Sequence, residues 1–186
     1  MKKILVLKSS PRLNGNSSTL ADQTVAGARN NGAQVDVYDL HNLDIGPCDA
    51  CDSCRETDGV CVIGDDMQEL YPKLLEADAV ILASPIYWFT ISAQMKAFID
   101  RWYALVKPEG HDLGGKKFGI ILTYGDSDPY NSGAVNAIHT FESMFRYIKA
   151  EIAGLIYGSA DGVGDIEKNT ALMEKAYRLG AKLAST

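Results

Sequence analysis

The sequence predicts an α/β fold, a doubly wound five-stranded parallel sheet with helices on both faces. Three observations carry that expectation. Short apolar runs of strand length alternate with segments of helical periodicity along the whole chain. One run, Ala79-Val80-Ile81-Leu82-Ala83, is apolar throughout, as a strand covered on both faces requires. The segments after the first, third and fourth runs are unusual in composition, and ligands of such sheets bind beyond the carboxyl ends of the strands.

Residues 4–7, Ile-Leu-Val-Leu, form the first expected strand. A helix follows over 17–31, opened by the hydroxyls of Ser17, Ser18 and Thr19 and stopped by Asn30-Asn31-Gly32, which tolerate a left-handed C-cap. Residues 33–40, AQVDVYDL, alternate apolar and polar and read as a half-buried strand. A polar stretch over 41–64 holds every cysteine. Asp65 and Asp66 then read as caps of a helix carrying Met67, Leu70, Leu74 and Leu75. The run at 79–83 gives the third strand, which Pro85 is expected to stop, and 92–105 a helix with Met95, Phe98, Ile99 and Trp102 on one face. Gly114-Gly115 turn into a fourth strand at 117–123. A helix over 132–149, a fifth strand over 152–158 and a closing helix over 165–184 complete the alternation. With no internal repeat or linker, residues 1–186 read as one domain with a cysteine-rich insertion at about 43–64.

Composition narrows the function. The chain has 186 residues, 46% hydrophobic and 23% charged, as in an ordinary globular protein. The net charge of −6 leaves no basic footprint for nucleic acid, so an anionic ligand must be held by local donors. No apolar run approaches the roughly 18 residues of a membrane span, and the short run at the start lacks a signal-peptide pattern. The expected location is cytoplasmic, where four cysteines do not form a disulfide framework.

The stretch from Lys3 to Leu20, KILVLKSSPRLNGNSSTL, is a strand, a short polar loop and a helix start. The first amides of a helix lack internal partners, and its dipole favours negative charge there. Ser9, Ser10, Asn16, Ser17 and Ser18 add neutral donors and Arg12 a charged fork. A phosphate is the expected ligand. The stretch is neither GxGxxG nor GxxxxGK[ST], which argues against a dinucleotide-binding loop and against a nucleotide hydrolase. Pro85, Ile86, Tyr87, Trp88 and Phe89 place an aromatic cluster after the third strand, suited to the flat wall of a ring-shaped ligand; the plain alternative is a core cluster or an oligomer contact. Cys48, Cys51, Cys54 and Cys61 read C-x2-C-x2-C-x6-C. Thiolates at this spacing can hold an iron–sulfur cluster or zinc, and the plain alternative is reduced thiols or cysteines that pair on oxidation. His41, His111 and His139 are scattered and receive no role. Arg101 is expected in helix packing or a subunit contact. Asp161 to Asp165 lack the ligand pattern of a calcium loop and read as a turn.

With SSPRLNGNS, SPIYWF and TYGD identified, the chain resembles the flavodoxin-like NAD(P)H-dependent FMN reductases, and among them the iron–sulfur flavoprotein branch. The resemblance implies a sheet order of 2-1-3-4-5. It implies phosphate ligation of FMN by Ser10, Arg12, Asn16, Ser17 and Ser18. Pro85, Ile86, Tyr87, Trp88 and Phe89 would border the isoalloxazine, and Thr123, Tyr124, Gly125 and Asp126 its pyrimidine end. It also implies a [4Fe–4S] centre on the four cysteines, no catalytic side chain beyond the cofactor, and a homodimer or homotetramer. The expected activity takes reducing equivalents from NAD(P)H to a quinone, flavin, azo or nitro compound, or a protein. The alternative is an electron carrier between a ferredoxin-like donor and FMN, and a third is a non-enzymatic regulator on the same fold.

Overall fold

The structure, a computed structural model, describes residues 1–185. Its strands are β1 (Lys3–Lys8), β2 (Gln34–Asp39), β3 (Ala79–Tyr87), β4 (Thr90–Ile91), β5 (Val106–Lys107), β6 (Gly110–His111), β7 (Lys117–Tyr124) and β8 (Glu151–Ser159). Its helices are α1 (Asn16–Asn30), α2 (Ser53–Glu56), α3 (Met67–Glu76), α4 (Ala93–Asp100), α5 (Ala134–Ile148) and α6 (Thr170–Ser185). A tighter turn of 3₁₀ helix, Arg101–Leu105, extends α4.

The long strands form one parallel sheet in the order β2-β1-β3-β7-β8, the order 2-1-3-4-5 expected for the five principal strands. The alternation within β1 shows why both faces must be covered. Ile4 and Val6 pack with Leu20, Val25, Leu179 and Leu183 from α1 and α6. Leu5 and Leu7 point the other way, toward Leu70, Leu74, Phe98, Phe141 and Phe145 from α3, α4 and α5. From β1 the chain first goes outward to β2, then returns to lay β3 on the other side of β1. The loops after β1 and β3 therefore diverge at one edge and leave a cleft between them, the switch point of such sheets.

Three local expectations are corrected. Helix α1 starts at Asn16, with Gly15 at the N-cap position and no side-chain cap, so Ser17 and Ser18 stand inside its first turn. Pro85 does not stop β3: it pairs in register with Thr123, and the strand continues to Tyr87 before folding back on β4. Asp66 makes no capping bond to its own helix and accepts instead from the Asp44 N–H at 2.7 Å. Asp65 does accept the Met67 N–H at 3.1 Å, but its main engagement is with Arg101.

Candidate functional site

The cleft at the switch point is lined by Ser10, Arg12, Gly15 and Asn16 from the first loop, by Pro85, Ile86 and Tyr87, and by Thr123, Tyr124 and Gly125. Ala160 and Asp161, from the loop after β8, complete it. It encloses about 580 Å³, counting the part open to solvent. A second hollow on the far side of the first loop shares Ser10 and Arg12 and adds Ser18.

A buried serine network fixes the two sides. The Ser92 hydroxyl donates to Ser9 Oγ at 2.7 Å, Ser9 Oγ donates to the Ala83 carbonyl at 3.2 Å, and Ser84 Oγ accepts the Ser92 N–H at 3.0 Å. Ser9 is thereby committed to the scaffold and is not among the cleft's lining residues, contrary to the expectation that it faces a ligand. Ser92 also accepts the Met95 N–H and so starts α4 against the same network.

The helix start keeps its donors free. The hydrogen bonds among the described residues begin at Thr19, whose N–H reaches the Gly15 carbonyl at 3.0 Å, and give no partner to the amides of Asn16, Ser17 and Ser18. Ser17 Oγ is buried without a partner among the described residues, a cost of about 1–3 kcal/mol unless an acceptor or donor arrives from outside the chain. Gly15 is required by closeness: a Cβ there would lie 2.2 Å from Ser10 Oγ and 3.2 Å from the Arg12 carbonyl. The side chain of Asn16 is committed elsewhere. It donates to the Gly162 carbonyl at 2.9 Å and accepts from Gly164 N–H at 3.1 Å and Ile166 N–H at 3.3 Å. That bracket pulls the loop after β8 onto the cleft, which explains why Ala160 and Asp161 line it. The sequence reading missed both. The signal was the strand order, because a strand beside β7 must end at the same edge.

The aromatic segment divides. Tyr87 and Thr90 pair across a two-residue turn whose central residues, Trp88 and Phe89, have φ of 49° and 68°. This is the type I′ hairpin geometry, in which Asn and Gly are usual and aromatic side chains are strained. Trp88 is 92% exposed and Phe89 54% exposed at the hairpin tip, and neither lines the cleft. On the opposite wall the Tyr124 carbonyl accepts the Ala160 N–H at 2.7 Å, and burial raises the Tyr124 phenol pKa, with the Tyr157 and Asp128 charges adding to it.

The four cysteines line a separate hollow of about 310 Å³ with Val62, Ile63, Arg101 and Tyr103. All are free thiols, Cys48 and Cys51 exposed and Cys54 and Cys61 partly buried. The donor set suits an iron–sulfur cluster in kind and number. Among the described residues no three of His, Cys, Asp and Glu are drawn together closely enough to hold a single metal ion. Burial, and then the neighbouring Cys61, raise the Cys54 pKa. Among the described residues no helix is long and apolar enough to cross a membrane.

Comparisons with known proteins agree with this fold. A family model described as "Flavodoxin-like fold" matches residues 2–183. An iron–sulfur flavoprotein of Archaeoglobus fulgidus is 36% identical over 99% of this chain and 79% of its own length. An FMN-dependent NADH:quinone oxidoreductase of a Shewanella strain is 28% identical over 97% of this chain and 98% of its own. The azoreductase of Bacillus anthracis superposes with a TM-score of 0.76 at 20% identity, covering 98% of this chain and 100% of that one, a likeness of fold. The chain belongs to the flavodoxin-like fold family and groups within it with the iron–sulfur flavoproteins.

Proposed function

We propose that the protein is an FMN-dependent oxidoreductase that takes reducing equivalents from NAD(P)H and passes them to a small acceptor, a quinone, flavin, azo or nitro compound, or to a protein. The observation that carries this reading is the start of α1. Three unpartnered amides and the orphaned Ser17 hydroxyl stand together at the end of a cleft that the second and third loops extend. Ser10, Arg12, Ser17 and Ser18 serve as side-chain phosphate ligands, and Asn16 contributes its amide while its side chain holds the wall. Pro85, Ile86 and Tyr87 flank the ring, with Thr123, Tyr124 and Gly125 at its far end. Bound FMN supplies the electron chemistry, and the chain supplies position and electrostatics. The names of the Archaeoglobus and Shewanella relatives support the flavin and the nicotinamide donor.

The test is a visible spectrum followed by rapid mixing. Protein prepared without oxygen is expected to carry a yellow chromophore that NADPH or NADH bleaches within one turnover. A colourless protein that binds no added FMN overturns the reading in favour of a non-enzymatic regulator. Flavin that neither nucleotide reduces overturns the reductase alone.

A second reading, an electron carrier that relays single electrons between a ferredoxin-like donor and FMN, is favoured by the gathering of all four cysteines on one hollow. Iron and sulfide in the anaerobic protein, with reduction by ferredoxin and not by NAD(P)H, is its expected signature. We also propose that copies of the chain associate as a homodimer or homotetramer, which the exposed Trp88 and Phe89 support, with light scattering as the check.

A further inference from the structure

Arg101 is the largest fully buried side chain of the molecule and it stands beside the cysteines. Its Nη1 donates to the Gly46 carbonyl at 3.0 Å and to Asp65 Oδ2. Its Nη2 is shared among Asp65 Oδ1 at 3.1 Å, the Ile63 carbonyl at 3.4 Å and Cys61 Sγ at 3.3 Å. Gly46 precedes the first cysteine by two residues and Ile63 follows the last by two, so one guanidinium ties both ends of the cysteine segment. Asp65 joins the same tie, because its Oδ2 also accepts the Gly46 N–H at 2.9 Å. A fourth observation points to a missing acceptor: Arg101 Nε is buried with no partner among the described residues. A buried cation is costly unless every donor is used, and leaving one unused beside four thiols suits a site that gains negative charge.

We propose that Arg101 is the positioning residue of the cysteine centre, closing the segment around it and supplying a fixed positive charge at Cys61 that sets its reduction potential. The inference rests on the reading that the four cysteines hold an iron–sulfur cluster. The step it tunes is a one-electron couple in which no covalent bond forms or breaks, the electron coming from the ferredoxin-like donor or from reduced flavin. Taking that electron makes the centre more negative, and the Arg101 charge lowers the cost of doing so. Asp65 opposes it by neutralising part of the charge. Helix α4 joins the β3–β4 hairpin to Arg101 through eight residues, about 12 Å of helix, so one rigid element positions both the flavin cleft's edge and the guanidinium.

The test uses the full chain, with FMN, reconstituted without oxygen with ferrous iron and sulfide, and reads iron per chain and midpoint potential by electron paramagnetic resonance. Arg101→Gln is expected to lower the potential by the equivalent of about a tenfold change in the reduced-to-oxidised ratio, about 59 mV for one electron. Arg101→Lys restores most of that shift because it keeps the charge. Asp65→Asn moves the potential the opposite way, upward, which a merely structural role would not do. FMN binding confirms that each variant is folded. Should Arg101→Gln fail to fold, the upward shift in Asp65→Asn still decides: no shift, or a downward one, overturns the proposal. Wild-type protein that takes up no iron overturns the cluster reading and this inference with it, whereas wild-type and Arg101→Gln proteins of equal potential overturn this inference alone.

Discussion

Single residues at the start of α1 carry the most specific claim about function. Arg12 is exposed with no ion pair among the described residues, and Ser17 Oγ is buried with none of its hydrogen bonds made. Both are then free to serve an anion, and hydrogen bonds to a charged group contribute about 1.5–3 kcal/mol each. Arg12→Ala combined with Ser17→Ala is expected to weaken FMN binding by two orders of magnitude or more, read by fluorescence titration of the flavin, with little change in thermal stability. His111 works differently. Its Nδ1 accepts the Leu113 N–H at 3.1 Å, so Nε2 is the donor to the Trp102 carbonyl at 3.2 Å, which defines the neutral ring. Burial lowers its pKa below the ordinary value, with the Trp102 carbonyl and Asp112 opposing. A depressed folded pKa means the unfolded chain takes up the proton first. The stability this ring contributes is therefore fully present above about pH 6.5 and is lost as pH falls below it through the folded pKa. The melting temperature of the wild type should drop between neutral pH and about pH 5 by more than that of His111→Asn, and parallel curves would refute the assignment.

At the scale of elements, the sheet was legible because burial on both faces writes itself as uninterrupted apolar runs, and Ala79 to Ala83 is the clearest. The first loop of the cleft, with its unpartnered helix start, was legible because Ser, Asn and Arg cluster where a strand gives way to a helix. What was not legible depended on contacts distant in sequence. The bonds of Asn16 reach residues 162–166, and no local pattern could assign its side chain to the wall in place of the ligand. The buried role of Arg101 likewise depends on Asp65, 36 positions away. The β3–β4 hairpin was misread for another reason: Tyr87-Trp88-Phe89-Thr90 carries no turn residue, yet closes as a two-residue turn. Positive φ at a residue with a Cβ costs about 1–2 kcal/mol. Replacing Trp88 with Asn and Phe89 with Gly supplies the residues that this turn favours and should stabilise the protein by about 1–3 kcal/mol in urea denaturation. If the exposed rings cover a partner copy, the same variant should also shift light scattering toward the monomer. A variant less stable than the wild type at a concentration where both are monomeric would show that these rings make native contacts worth more than the strain.

For the molecule as a whole, the two ends of the chain close on each other through α1 and α6, which share one face of the sheet. Their approach is set by two glycines. A Cβ on Gly180 would lie 1.9 Å from the Thr24 carbonyl oxygen and 2.8 Å from Ala28 N, and one on Gly27 would lie 2.0 Å from the Tyr177 carbonyl oxygen. Those neighbours are backbone, so neither side can yield without moving a helix. The distance between the helices matters for the cleft because α1 carries the unpartnered amides at its first turn, while the segment leading to α6 is held to that turn by Asn16. Stability and ligand geometry are thus linked through one helix pair. Gly180→Ala gains helix propensity, worth about 1 kcal/mol, but must force α6 off α1, and overpacking of a close seam costs typically about 1–3 kcal/mol or more. The backbone clash decides the sign. Gly180→Ala should lower the denaturation midpoint and also weaken FMN binding, although the residue touches no part of the cleft. An exposed control on the same helix, Lys175→Ala, should change neither. If Gly180→Ala melts earlier but binds FMN as the wild type does, the helix seam contributes to stability alone and the cradle is held by the serine network without it.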